Sequence, residues 1–224
     1  AEMLPIEGIA RQLGLSSSDL LMYGSNIAKV NWGAVKPRMG AYGGSLVLVT
    51  SVSPTAFGEG KTLTTIGLTQ GMNAIGKNAC CVIREPSMGP VFGIKGGAAG
   101  GGHSQVLPME QVNLHFTGDL HAVTSAHNLC SAMIDNHLHR GNKLGIRLDR
   151  IFWPRTIDMN DRSLRVVEIG RGGDANGVVR PDRFDITAAS ELMAILALSK
   201  NFAELRDRAV SYTHLRAHET REDL

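Results

Sequence analysis

Residues 58–62 read Gly-Glu-Gly-Lys-Thr, a lysine and a hydroxyl placed directly behind two glycines. That order suits phosphate chemistry. Gly58 and Gly60 let the backbone turn its N–H groups toward one point, Lys61 can reach outer phosphoryl oxygens, and the Thr62 hydroxyl can ligate Mg²⁺. The predicted nucleotide loop comprises Thr55, Ala56, Phe57, Gly58, Glu59, Gly60, Lys61 and Thr62. Its match to the G-x-x-x-x-G-K-S/T pattern is incomplete, because Thr55 stands at the first glycine position, so an ordinary turn with a solvated lysine is the competing reading. A second candidate is Arg84, next to Glu85. A guanidinium forks onto carboxylate or phosphoryl oxygens in a geometry lysine cannot offer. The competing reading pairs Arg84 with Glu85 or another surface acid.

The flanking elements must aim these groups. Ser45–Val52 is a short apolar run with β-branched residues after Gly43-Gly44, which predicts a buried parallel strand. Leu63, Ile66, Leu68, Met72 and Ile75 then run at helical spacing as far as Gly76, a suitable stop. A helix beginning at the loop adds about half a positive charge at its N-terminus. Ala79–Ile83 predicts the next strand. With a right-handed crossover both strands are parallel, their C-terminal ends share one sheet edge, and Arg84 lies beside the loop.

The other segments say less. Ile6 to Leu21 predicts two short helices, Asn31 to Gly44 a connector, and Leu192, Ile195, Leu196 and Leu198 a packed helix capped by Asp185 or Thr187. His115, His121 and His127 recur at six-residue intervals, which does not place three ligands on one helix face, so caps, core hydrogen bonds and surface positions account for them. Cys80, Cys81 and Cys130 have neither a disulfide pattern nor zinc spacing, and a reducing cytoplasm is expected.

Composition limits the class. With 224 residues, 43% hydrophobic and 20% charged, the chain is of globular type, and no apolar run approaches the roughly 18 residues of a membrane span. A net charge of +2 with scattered basic residues argues against a nucleic-acid partner. No secretion signal is visible, and the absence of an initiator Met before Ala1 hints at a missing start. The 26 glycines exceed the roughly 16 that average usage would give, and the excess concentrates in 89–102. Residues 210–224 continue no earlier period, and the string from Val210 to Thr220 resembles the translation of a transposase adapter used in sequencing-library preparation. The expected organisation is therefore a nucleotide-binding portion over 1–209 and no domain over 210–224.

Gly93-Ile-Lys-Gly-Gly-Ala-Ala-Gly-Gly-Gly102, with Arg84-Glu-Pro-Ser87 before it and Pro108-Met-Glu110 and Asn113-Leu-His-Phe-Thr-Gly-Asp119 after it, closely resembles the formate–tetrahydrofolate ligase family. Asp158-Met-Asn-Asp-Arg162 and Phe184-Asp-Ile-Thr187 follow in the same order, and the similarity runs from about Ile6 to Arg208. The resemblance implies an α/β, P-loop NTPase-like three-layer fold with a mostly parallel sheet, incomplete at the C-terminus. It implies a cytoplasmic, homotetrameric ligase that makes 10-formyltetrahydrofolate from formate, ATP with Mg²⁺ and tetrahydrofolate, activated by a monovalent cation such as K⁺ or NH₄⁺. Lys61, Arg84 and Glu85 become the catalytic candidates, the loop from Thr55 to Thr62 the nucleotide site, and Thr62 the ligand of Mg²⁺. Lys95 and the glycine run would belong to the formyl phosphate or folate pocket. Two departures stand out: Ala56 replaces the family's second loop proline, and His103 replaces the tyrosine that usually ends the glycine signature. The alternatives are a different P-loop ATPase or carboxylate-activating ligase, and a non-catalytic nucleotide-binding fragment, since the family's pterin-binding aromatics lie downstream of residue 208.

Overall fold

A computed structural model describes residues 3–41, 43–53, 60–85, 87–88, 99–114 and 117–218. It is α/β, with short sheets and helices of varied length. The chain divides into two compact units: residues 1–86 with 90–117, and residues 87–89 with 118–224.

In the first unit, helix α1 (Ile6–Gln12) is tied to the chain beyond it where the Ile6 N–H donates to the Ser25 carbonyl at 2.8 Å. A 3₁₀ turn at Ser17–Asp19 follows, closed by a Ser16/Asp19 capping box. Strands β1 (Leu20–Tyr23) and β2 (Ile27–Val30) then form an antiparallel hairpin in which Leu20 faces Val30. The second helix expected before Leu21 is thus a turn and a strand. Ser16 bonds locally to Asp19, through its N–H and its hydroxyl, and to the Ser18 hydroxyl instead of continuing a helix. The predicted connector contains a four-residue helix, α2 (Trp32–Val35).

Helix α3 (Lys61–Ala74) forms where the apolar spacing places it and ends at Gly76. It packs on a small antiparallel hairpin, β3 (Gly100–Gly101) with β4 (Ser104–Gln105), at the end of the glycine cluster. Gly100 has φ +81°, and a Cβ there would meet the Ser104 carbonyl oxygen at 2.1 Å and the buried Ile66 side chain at 2.7 Å. Gln70 Nε2 donates to the His103 carbonyl at 3.0 Å, closing the contact from the helix side.

Residues 45–52 and 79–83 carry no strand ladder, and Leu46, Leu48 and Val82 are exposed. A parallel strand buried on both faces needs ladder partners, and no described residue forms a ladder with these segments. Of the four two-stranded sheets among the described residues, the parallel pair joins β5 (Arg155–Thr156) to β8 (Phe184–Asp185), in the second unit. The remaining pair, β6 (Val167–Ile169) with β7 (Arg180–Asp182), is antiparallel.

The second unit is built along α5 (Asp119–His139), which follows α4 (Met109–Asn113) in the chain. Leu120, His127, Ser131 and Leu138 form its buried stripe at helical spacing. His127 Nε2 lies 2.8 Å from the Pro154 carbonyl, an acceptor only, so Nε2 carries the proton and Nδ1 accepts from Ser190 Oγ at 2.9 Å. The Trp153 ring stacks on this imidazole at 4.5 Å. Ser190, and neither Asp185 nor Thr187, caps α6 (Glu191–Leu198), accepting from the Met193 N–H. Thr187 is fully buried and bonded to Thr124 at 2.6 Å. Ile195 packs inward, whereas Leu196 and Leu198 are exposed, unlike the packing expected of them. A last helix, α7 (Phe202–His218), follows. No helix among the described residues is long and apolar enough to cross a membrane.

Two outcomes follow for stability. Gly100→Ala forces a side chain into the left-handed region, at about 1–2 kcal/mol, and adds the collision with Ser104, so its thermal midpoint should fall by several degrees in a melting experiment. Burial holds the His127 imidazole below its ordinary value, against smaller opposing effects of the Pro154 carbonyl, Asp185 and Glu191. Below a pH of about 6.5 the unfolded chain then binds a proton that the folded chain refuses, so stability drops as pH falls. Urea unfolding at pH 7.5 and 5.5 should show this drop, and His127→Asn should flatten it.

Candidate functional site

Gly60 occupies the N-cap of α3 with φ +66°, a left-handed conformation that costs a glycine little and turns the chain into the helix. Lys61 and Thr62 thereby fall on the first turn, where the N–H groups have no intrahelical acceptor and the helix dipole favours an anion. Lys61 Nζ donates to Ser51 Oγ at 3.1 Å, which brings the lysine to the end of the apolar run 45–52. Farther along, the Thr65 and Thr69 hydroxyls bond to carbonyls one turn back, at 2.8 and 2.9 Å. The Thr62 hydroxyl makes no such bond among the described residues. Thr55, Ala56, Phe57, Gly58 and Glu59 lie outside the described residues, as does Lys95 with most of the glycine run.

Asn73, near the end of α3, clamps Ala79 through both of its amide atoms, at 3.0 Å each. The segment leading to Arg84 is therefore anchored to the same helix that starts at Lys61. Arg84 is exposed and makes no ion pair with Glu85 or with any other described residue, and no hydrogen bond joins it to Lys61. Glu85 is half-buried. His103 is exposed and contributes its carbonyl, not its ring, to the contact with Gln70. The described residues contain no group of three or more His, Cys, Asp or Glu side chains arranged to hold a metal ion. Thr62 alone therefore represents the ion site read from the sequence.

One polar anchor went unremarked in the sequence beyond its place in a motif. Ser87 Oγ donates to Asp158 Oδ1 at 2.5 Å and the Met88 N–H donates to Oδ2 at 2.6 Å, both within the second unit. Its two ends stood in separate motifs, Arg84-Glu-Pro-Ser87 and Asp158-Met-Asn-Asp-Arg162, and a separation of about 70 residues hides the pairing from any local pattern.

A family model described as formate–tetrahydrofolate ligase matches residues 1–220. Curated formate–tetrahydrofolate ligases from Thermosipho melanesiensis and Paracoccus denitrificans are 55% and 57% identical over 208 residues, which is 93% of this chain and 38% of each relative. The ligase from Roseiflexus castenholzii is 53% identical over all of this chain and 40% of its own length. The chain thus spans about two fifths of the length of these relatives. With the glycine turn, the lysine and the hydroxyl at the head of α3 and the motifs around Arg84 and Asp158 in place, the chain belongs to the formate–tetrahydrofolate ligase family.

Proposed function

We propose that the chain is the nucleotide-binding, formate-activating part of an ATP-dependent C–N ligase that joins formate to tetrahydrofolate, yielding 10-formyltetrahydrofolate, ADP and phosphate. The observation that carries this reading is the Gly60-Lys61-Thr62 start of α3 within a chain more than half identical to ligases of that name. The finer fold in the proposal is P-loop NTPase-like and three-layered, with 45–52 and 79–83 as strands of a mostly parallel sheet. Their apolar patterns and the helix between them support it. Homotetramer assembly, activation by K⁺ or NH₄⁺ and a cytoplasmic location are inferred from the family, and residues 210–224 are proposed to add no domain even though the family match reaches residue 220.

Formate is a poor acyl donor because its carboxylate carries a full negative charge. A formate oxygen attacks the γ-phosphoryl group of ATP, the bond to ADP breaks, and formyl phosphate results. The amine of tetrahydrofolate then attacks the formyl carbon, the C–O bond to phosphate breaks, and the amine proton passes to the departing phosphate or to water. In the first step two anions approach each other, and at 4 Å and an effective dielectric of about 20 each pair of unit charges repels by about 4 kcal/mol. Lys61 and Arg84 are proposed to offset this, Lys61 from the helix N-terminus and Arg84 as a fork on formate and phosphoryl oxygens. Glu85 is proposed to orient Arg84 or the formate. Backbone N–H groups of the loop Thr55–Thr62 would cradle the phosphates, and Thr62, whose hydroxyl is not committed to the helix, would hold Mg²⁺, which supplies further neutralisation when bound.

The limited span of the chain also favours a second reading, a module that binds nucleotide without turnover. Two measurements test these assignments. In a full-length relative, Arg84→Ala at the equivalent position should lower formate-dependent ATP turnover on the order of 10³-fold with ADP binding unchanged, and near-normal turnover would remove Arg84 from the mechanism. A purified polypeptide of these 224 residues should form no 10-formyltetrahydrofolate in a spectrophotometric assay, and detectable product would show that the remaining length of the relatives is dispensable.

A further inference from the structure

The outward side of α5 carries no charge where water would be expected to meet it. At about 100° per residue, the buried Leu120, His127, Ser131 and Leu138 share one side of the helix with Thr124, Asn128 and Asp135, which bond to Thr187, Thr156 and Arg155. Directly opposite stand Ala122, Ser125, Ala126, Leu129, Ala132 and Met133, all exposed. Leu129 and Met133 are 61% and 64% exposed. From residue 120 to residue 134 the helix has no Asp, Glu, Lys or Arg on any side. A surface helix places charged residues on the face turned away from its core, and one without them there is covered on that face too. Helix α7 shows the ordinary solvated pattern, with Glu204, Arg206, Asp207 and Arg208 close together.

The size of the face and the length of the relatives say what covers it. From Ala122 to Met133 it measures about 17 Å by about 10 Å, roughly 200 Å², whereas a stable interface between separate chains needs about 800 Å² per partner. A second copy docked through this face alone falls well short. A neighbour on the same polypeptide needs no such area, because it loses no translational and rotational freedom of its own on docking. The ligases from Thermosipho melanesiensis and Paracoccus denitrificans have such a neighbour to offer, since the match takes up 38% of each and the rest of their length lies outside it. Helix α7 packs on α6 and α6 packs on α5, so chain that follows α7 in those relatives begins one helix away from the face. We infer that the outward face of α5 is an internal docking surface of the full-length ligases, covered by an apolar segment of the same polypeptide from outside the matched residues. Close packing asks that segment for small side chains opposite Leu129 and Met133 and larger ones opposite Ala122, Ala126 and Ala132. The inference rests on membership of the family and not on the activity proposed above.

The test compares this chain with the full-length Thermosipho melanesiensis ligase, substituted at the equivalent positions. Maleimide labelling of Met133→Cys, mapped to that residue by mass spectrometry, should be slower in the ligase than in the 224-residue chain on the order of 10²-fold. Equal rates would overturn the inference. Leu129→benzoylphenylalanine in ligase assembled from mixed ¹⁴N- and ¹⁵N-labelled chains identifies the cover directly. The expected photoproduct joins position 129 to a peptide of the same isotope from outside the 208 matched residues. A mixed-isotope product would assign the face to a second copy, and a product within the matched residues would assign it to this chain's own surface, and either overturns the inference. Leu129→Lys should move the thermal midpoint of the 224-residue chain by less than about 1 °C and lower that of the ligase by several degrees. Shifts of equal size in the two proteins would contradict a cover that only the ligase possesses.

Discussion

A buried polar group must find a partner or cost about 1–3 kcal/mol, and in the second unit this requirement sets the path of the chain. Among its described residues the buried apolar side chains include Leu120, Leu138 and Ile195, beside the buried polar residues His127, Ser131, Thr187 and Ser190, and Thr156, whose backbone is paired while its hydroxyl finds no partner among the described residues. Helix α5 supplies most of the partners. His127 bridges Pro154 to the cap of α6, Asn128 completes the edge of Thr156, Thr124 meets Thr187, and Asp135 takes Arg155 at 2.8 Å together with Arg180. Strands of two or three residues could not hold these segments alone. The side-chain bonds do it for them, and the same logic reaches Asp158 and its hold on Ser87 and Met88.

The first unit is organised around the head of α3, where the proposed function needs backbone N–H groups turned toward an anion. Gly60 makes the turn, α3 follows it, and the close packing of Gly100 on Ile66 and Ser104 secures the helix from one side. In the proposed function Lys61 and Arg84 would supply whole charges where the helix supplies only a fraction of one. The proposed chemistry asks for such charges, since phosphoryl transfer needs no covalent nucleophile and is catalysed by positioning and electrostatic stabilisation.

Helix α3 and its start were legible in the sequence because a strong apolar period coincides with a glycine start and a glycine stop. The glycine excess was legible as a composition, and its reason at Gly100 emerged only with the partner atoms in place, 2.1 Å from a Cβ that is not there. The strands at 45–52 and 79–83 were read from their own apolar residues, but a ladder belongs to two segments at once, and no partner for them is found among the described residues. Ser190 was missed as the α6 cap because Thr187 and Asp185 compete for that role locally, and burial against Thr124 and pairing with Arg183 commit them elsewhere. The Asp158 anchor showed only as two separate motifs, because its pairing is a contact between distant segments.

Nucleotide binding at the head of α3 is the central claim, and calorimetric titration of the purified chain with ADP and Mg²⁺ tests it most directly. The account predicts saturable binding in the wild type that weakens roughly tenfold or more in Lys61→Ala, as expected for loss of a charge-assisted contact to phosphate. Absence of saturable binding in a folded chain, or equal affinity in Lys61→Ala, would contradict it.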